Sequence, residues 1–144
     1  MSRAITALLA VAVAVSVASC SNVLELSVGD CFQDWEGATQ LATQQVEGVE
    51  TVDCDVPHDN EVYALVEMTE ASFPGAEAVE TRAYESCLER FDSFVGTPYA
   101  DSRLDFGALF PTDASWDQGD RTIICFVYDV EFLRLTGSME DSGI

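Results

Sequence analysis

The chain has no lysine, and its only cationic side chains besides one histidine are six arginines, set against 26 acidic residues. The formal charge is −20 at neutral pH. Phosphate binding needs a basic stripe, so this balance excludes nucleic acid as a partner. An anionic bilayer surface would also repel the chain as a whole. Histidine occurs once, as His58, which leaves no two-histidine zinc set. No GxSxG, HExxH, P-loop or dinucleotide fingerprint is present. Long apolar runs are missing too. The run from Ala4 to Ala18 falls short of the roughly 18 to 20 residues a membrane-spanning helix needs.

That short run is still informative. Met1-Ser2-Arg3 is a brief basic start, and Ala4 to Ala18 is an apolar segment of Ala, Val, Leu and Ile. Together they have the anatomy of an export signal. Val17-Ala18-Ser19-Cys20 closes it in the form of a lipobox. On this reading residues 1–19 are a lipoprotein signal peptide, and Cys20 becomes the first mature residue and carries the lipid. Two acyl chains hold a protein stably where one does not. The competing reading is an ordinary secretory signal with Cys20 near the cut by chance. Residues 20–25 are then a lipid anchor and short tether, 26–135 a folded domain and 136–144 a flexible tail. The expected location is the extracytoplasmic face of the cell membrane. Cleavage removes Arg3 and no acid, which takes the formal charge from −20 to −21. The plain interpretation of such acidity is a solvating surface; cationic protein faces and divalent ions are the alternatives.

Cysteine parity agrees with the lipobox. Of Cys20, Cys31, Cys54, Cys87 and Cys125, assigning the first to the lipid leaves an even set. Outside the cytoplasm these are expected as disulfides. Four cysteines allow three connectivities, and Cys31–Cys54 with Cys87–Cys125 is preferred. The first would join two strand ends, and the second would fasten a helix face to a central strand. A zinc site is the competing reading, but no pair has CxxC spacing.

Periodicity outlines the domain. Leu24, Leu26 and Val28 alternate with polar residues, as in a strand beginning almost at the anchor. Gly29-Asp30-Cys31-Phe32 is a turn into a buried position, and Gln33 to Gln45 is a polar loop holding Trp35. Strands are expected at 46–54, 61–68, 104–110 and 121–130. The last is apolar on both faces and so belongs inside the sheet. Between Ala76 and Val95 the spacing changes to threes and fours, through Val79, Ala83, Cys87, Phe91 and Val95, and predicts a helix ended by Gly96 and Pro98. Pro111 to Gly119 is a turn-rich loop with Trp116. The fold class is α+β: a small antiparallel sheet of about four or five strands, packed by one long helix and closed by two disulfides.

Chemistry is sparse. His58 sits in Cys54-Asp55-Val56-Pro57-His58-Asp59-Asn60-Glu61. A metal or acid–base site would use His58 with Asp59 or Glu61. The plainer reading is a turn histidine bonding the backbone. Asp117-Gln118-Gly119-Asp120 lacks the acid that closes a calcium loop. No catalytic residue, metal or cofactor is therefore expected. Trp35, Trp116 and Tyr99 lie in predicted connections and are candidate contact residues, or else they cap the core.

Several blocks recur in a familiar order: Gly29-Asp30-Cys31-Phe32, then Cys54, Pro57-His58 and Glu61-Val62, then Phe73-Pro74-Gly75, Cys87 and Phe91, and finally Trp116, Gly119-Asp120-Arg121 and Cys125. This order resembles the septum formation domain family of actinobacterial membrane proteins and lipoproteins, over about residues 26 to 130. The resemblance implies a small extracytoplasmic envelope domain with a link to division-septum assembly. It also implies roles for His58 and Arg121 as fold or site determinants, with Arg121 pairing Asp30 or Glu61. The expected partners are the membrane, through the lipid on Cys20, and an envelope or division protein or cell-wall component. A small hydrolase or metal-dependent enzyme using His58 and nearby carboxylates is the alternative. A ligand carrier with a pocket between helix and sheet is a third.

Overall fold

The computed structural model describes residues 19–34, 46 and 48–144. Helix α1 spans Ala76–Val95, where the period predicts it. Gly75 precedes it at φ 99° and Gly96 follows in the left-handed region at φ 81°, a conformation glycine enters without steric cost. The Gly96 N–H closes the last turn on the Asp92 carbonyl. Val79, Ala83, Cys87, Phe91 and Val95 form the buried stripe.

Against that stripe lies an antiparallel sheet with six strands among the described residues. They are β1 (Ser19–Asn22), β2 (Cys31–Phe32), β3 (Gly48–Val52), β4 (Asn60–Glu67), β5 (Leu104–Leu109) and β6 (Thr122–Asp129). Their order is β1-β3-β2-β4-β6-β5. Strand β6 is enclosed by β4 and β5 and is buried on both faces, as its composition requires. Ile123, Cys125 and Val127 join the helix-side core with Phe91, Val79 and Leu104. Ile124 and Phe126 point the other way, into a second core with Leu26, Phe32, Val49 and Val62. Val49 of β3 belongs to the same cluster as Ile124 and Phe126 although β2 and β4 lie between β3 and β6, and the sheet curls over this second core.

Two local irregularities serve the packing. A bulge between Val62 and Ala64 shifts the β4–β6 register. It turns both Tyr63 and Ala64 toward the helix side, and the Tyr63 hydroxyl donates to the Cys87 carbonyl at 2.7 Å. Burial pushes the Tyr63 phenol well above its ordinary pKa. Gly107 pairs with Phe126 across β5–β6. A Cβ there would stand 2.3 Å from the Phe126 ring, so glycine leaves room for the ring to lie over the neighbouring strand. That ring meets Phe32 edge-on at 5.5 Å.

Both expected disulfides are present: Cys31–Cys54 across 23 residues and Cys87–Cys125 across 38. The second ties the apolar face of α1 to β6. In the chain-entropy account, loops of this length stabilise by about 3 to 4 kcal/mol each.

The structure corrects four expectations. Residues 24–28 are not a strand. The Asn22 side chain accepts the Leu24 N–H and starts a single 3-10 turn, Val23–Glu25. Leu26 alone is buried, and Leu24 and Val28 are exposed. Residues 20–25 are not a free tether either, because Ser19–Asn22 pairs with Thr51–Gly48 as the edge strand β1. Within the predicted loop 111–119, Asp113–Asp117 forms a short helix, α2, capped by reciprocal Thr112 and Ser115 hydrogen bonds; five residues are too few for a period to show. Residues 136–144 are docked rather than frayed. Met139 is buried, the Asp141 N–H donates to the Phe94 carbonyl and the Gly143 N–H to the Val95 carbonyl, both at 2.8 Å. Backbone pairing holds this polar segment, and backbone pairing leaves no mark in composition. The predicted loop 33–45 lies, beyond Asp34, outside the described residues.

A Gly107→Ala substitution should overpack the Phe126 ring and lower stability by about 1 to 3 kcal/mol. Denaturant midpoints of the two proteins would measure this, and an unchanged midpoint would contradict the close approach.

Candidate functional site

The cluster around His58 is built by two chain segments far apart in sequence. The Asp53–Val56 turn, closed by the Val56 N–H on the Asp53 carbonyl, delivers Pro57 and His58 to the start of β4. Here His58 makes an isolated antiparallel bridge with Leu135. Its N–H donates to the Leu135 carbonyl at 3.0 Å and its carbonyl accepts the Leu135 N–H at 2.8 Å. The imidazole is completely buried. Nδ1 lies 2.9 Å from the Val56 carbonyl oxygen. A carbonyl only accepts, so Nδ1 carries a proton and donates it. Nε2 finds no hydrogen-bond partner among the described residues.

Glu61 is the other buried titratable group here, with 1% of its surface exposed. It faces the same C-terminal segment. Oε1 accepts the Ser138 hydroxyl and Oε2 accepts the Met139 N–H, each at 2.6 Å. Both donors are neutral, so the carboxylate is held by geometry rather than by a countercharge. Donor atoms of Cys31, His58 and Glu61 lie within 4.8 Å of one another. The Cys31 sulfur, however, is bonded to Cys54 and carries no thiolate charge. Two donors remain, fewer than a structural zinc takes.

Over this buried pair lies a polar surface. Arg134 Nε is 3.0 Å from Asp59 Oδ1, and the guanidinium also donates to the Pro57 carbonyl and to Gln33 Oε1. Asp59 Oδ2 accepts the Asp34 N–H, and Asp34 Oδ1 accepts the Asn60 amide, both at 2.9 Å. The network ties Gln33 and Asp34, just past β2, to the start of β4 and to the segment after β6. Beside it, Asp129 at the end of β6 is buried. Burial alone would raise its pKa. Backbone N–H groups of Glu131 and Leu133 and the Arg103 guanidinium outweigh that, and the carboxyl sits below its ordinary value. Arg103 NH2 is 2.6 Å from Asp129 Oδ2.

The other residues singled out from sequence are not part of this cluster. Trp35 lies outside the described residues. Trp116 is buried, packed by Phe73 at 5.7 Å between centroids, with the Arg121 guanidinium 3.8 Å from its ring centroid. Arg121 donates to the Trp116 and Asp120 carbonyls, at 2.8 and 2.7 Å. It therefore clamps the end of α2 and pairs with neither Asp30 nor Glu61. Thr122 pairs with Glu67, at the end of the β4–β6 ladder opposite His58. Tyr99 packs edge-on to Phe91 and Phe106, at 5.0 and 5.4 Å, and donates to Asp105 at 2.7 Å. That hydrogen bond, with burial second, pushes its phenol up to about 12. Both Trp116 and Tyr99 thus cap the core.

Sequence reading missed Arg134, Ser138 and Met139. Glu61 and Ser138 are 77 residues apart, and no local pattern links them. A carrier's pocket between helix and sheet is not what the structure offers, since Tyr63, Val79, Cys87 and Phe91 fill that space. The groove at the start of α1, lined by Met68, Glu70, Pro74, Glu77, Arg82 and Glu85, is an open surface feature.

A family model described as septum formation matches residues 28–142. The match takes in strands β2 to β6 and the docked segment from residue 135 to 142, and leaves out β1. No curated protein and no solved structure matches the chain.

Glu61→Ala would leave the Ser138 hydroxyl and the Met139 N–H without their acceptor. The expected loss is about 2 to 4 kcal/mol, with faster amide exchange over 136–143 and a smaller loss for Glu61→Gln; hydrogen exchange with mass spectrometry checks it. Asp129 gives a pH dependence. Its folded pKa is depressed, so its stabilisation is present at neutral pH and is lost as pH falls through and below the ordinary carboxylate range. Asp129→Asn should lower stability at pH 7 and flatten the decline toward pH 3, read from urea midpoints at the two pH values.

Proposed function

The chain belongs to the septum formation family, and on that premise we propose that it is a lipid-anchored, non-catalytic module of the cell envelope, held at the extracytoplasmic face of the membrane. The observation that carries the non-catalytic reading is the burial of its best acid–base candidates. His58 and Glu61 are 0% and 1% exposed and are covered by the segment from Leu135 to Met139. A substrate would have to displace that segment to reach either group. Their hydrogen bonds describe a clasp that holds the C-terminal segment on β4.

The anchoring reading draws on the lipobox and on the two disulfides, which belong to an oxidising compartment. Among the described residues no helix is long and apolar enough to cross a membrane. In this reading the lipid on Cys20 does the holding. The partner is an envelope or division protein or a cell-wall component. It meets the polar surface of Gln33, Asp34, Asp59 and Arg134, where charged and amide groups of three chain segments are fixed in place.

Cys20→Ser should abolish incorporation of labelled palmitate and move the protein from the membrane pellet to the medium. Pelleting that survives the substitution would overturn the anchor. In-cell crosslinking of the anchored protein, followed by mass spectrometry, should recover division or wall-synthesis proteins; a set unrelated to the envelope would sink the partner reading.

A further inference from the structure

The turn after β6 presents three exposed apolar side chains within four residues. Val130, Phe132 and Leu133 have 47%, 76% and 53% of their surface open. Phe132 sits at φ 57°, a left-handed conformation that bulky residues avoid and that glycine or asparagine would adopt more easily. The strain is held in place from below. The Phe132 N–H donates to the Asp129 carbonyl and the Glu131 N–H to the Asp129 carboxylate, at 2.8 and 2.9 Å. The Phe132 ring stacks on Tyr128, with centroids 5.7 Å apart and planes 11° from parallel. The turn is therefore a fixed protrusion whose outermost groups are apolar. A surface that only had to stay soluble would gain nothing from holding a phenylalanine this way.

The strand register says what lies on the same side. Val52, Cys31, Glu61 and Val127 form one row across the sheet. Cys20 pairs with Glu50, two residues along β3 from Val52. Asp129 lies two residues along β6 from Val127, in the same direction, because β2 and β6 run parallel to β1 in this alternating sheet. Cys20 and Asp129 therefore share a row, and the Val130–Leu133 turn projects just beyond it. Four strand spacings separate β1 from β6, at most roughly 19 Å. Leu24, also exposed, follows β1 on the same side.

The charges that flank the turn are paired: Arg103 with Asp129 and Arg134 with Asp59, the arginine side chains being 56% and 52% open. Glu131 is the one acid within it. Aromatic and aliphatic tips beside neutralised ion pairs suit the headgroup boundary of a bilayer, where rings lie at the interface. The lipid would already hold the turn beside the membrane, so a weak insertion suffices at that local concentration.

We propose that the Val130–Leu133 turn is a second membrane contact: Phe132 and Leu133 insert into the interface of the leaflet that holds the Cys20 lipid. This rests on the anchor reading. The contact fixes which way the domain faces, because two attachment points on one edge of the sheet prevent free swivelling about the lipid.

The test uses the full mature protein, with its lipid, in phosphatidylcholine vesicles. A nitroxide is placed at Phe132→Cys, at Leu133→Cys in a second preparation, and at Glu85→Cys on α1 as an exposed control. Intact mass verifies the Cys20 lipid and both disulfides. The expected result is a rise in oxygen accessibility and a loss of nickel-chelate accessibility at 132 and 133, with neither change at 85. Aqueous behaviour at 132 and 133 in a verified lipoprotein would overturn the membrane contact and leave the anchor standing. A mass without lipid on Cys20 would overturn the anchor, and the proposal with it.

Discussion

A carboxylate removed from water must be given hydrogen bonds, and Glu61 takes one on each oxygen from residues that follow β6. That requirement organises much of the molecule. It draws Ser138 and Met139 onto β4, and Met139 in turn joins the helix-side core. The His58–Leu135 bridge fastens the same segment a few residues earlier. Cys31 pairs with Glu61 across β2–β4 and carries the bond to Cys54, so the disulfide, the imidazole and the carboxylate form one block at one end of the sheet. The helix-side core and the curled second core both run through the strands that this block connects.

Much of the architecture was legible because it follows from short-range pattern. The period of three and four from Ala76 to Val95 describes α1 to the residue, and the doubly apolar run at 122–129 describes a strand enclosed on both sides. The disulfide pairing was also within reach, since Cys87 falls on the apolar face of a helix that must pack on a central strand. What escaped were contacts between distant segments and elements too short to repeat. Asn22 capping turned an apparent strand at 24–28 into a 3-10 turn. The two-residue β2 owes its existence to its neighbours on either side. Arg121 found its partners in carbonyls of its own turn and in the Trp116 ring, a choice that charge alone does not announce.

The same distinction applies to the site. His58 was conspicuous as the only histidine, and its ring meets the backbone of its own turn. Its surroundings, by contrast, come from residues 134–139, which straddle the expected end of the domain at 135 and the start of what reads as a polar tail. The surface network of Arg134, Asp59, Asp34 and Gln33 depends on the same return of the chain. Aromatic residues that looked like contact points, Trp116 and Tyr99, are spent on packing, while the exposed ring of Phe132 carries no signal in sequence beyond being one phenylalanine of eight.

The docking of residues 135–143 also bears on when the fold can close. A chain made from its N-terminus presents Glu61 and β4 before residues 135–143 leave the ribosome. Until then the carboxylate must remain solvated, and β4 lacks the segment that covers it. Closure over β4 therefore waits for residues 135–143.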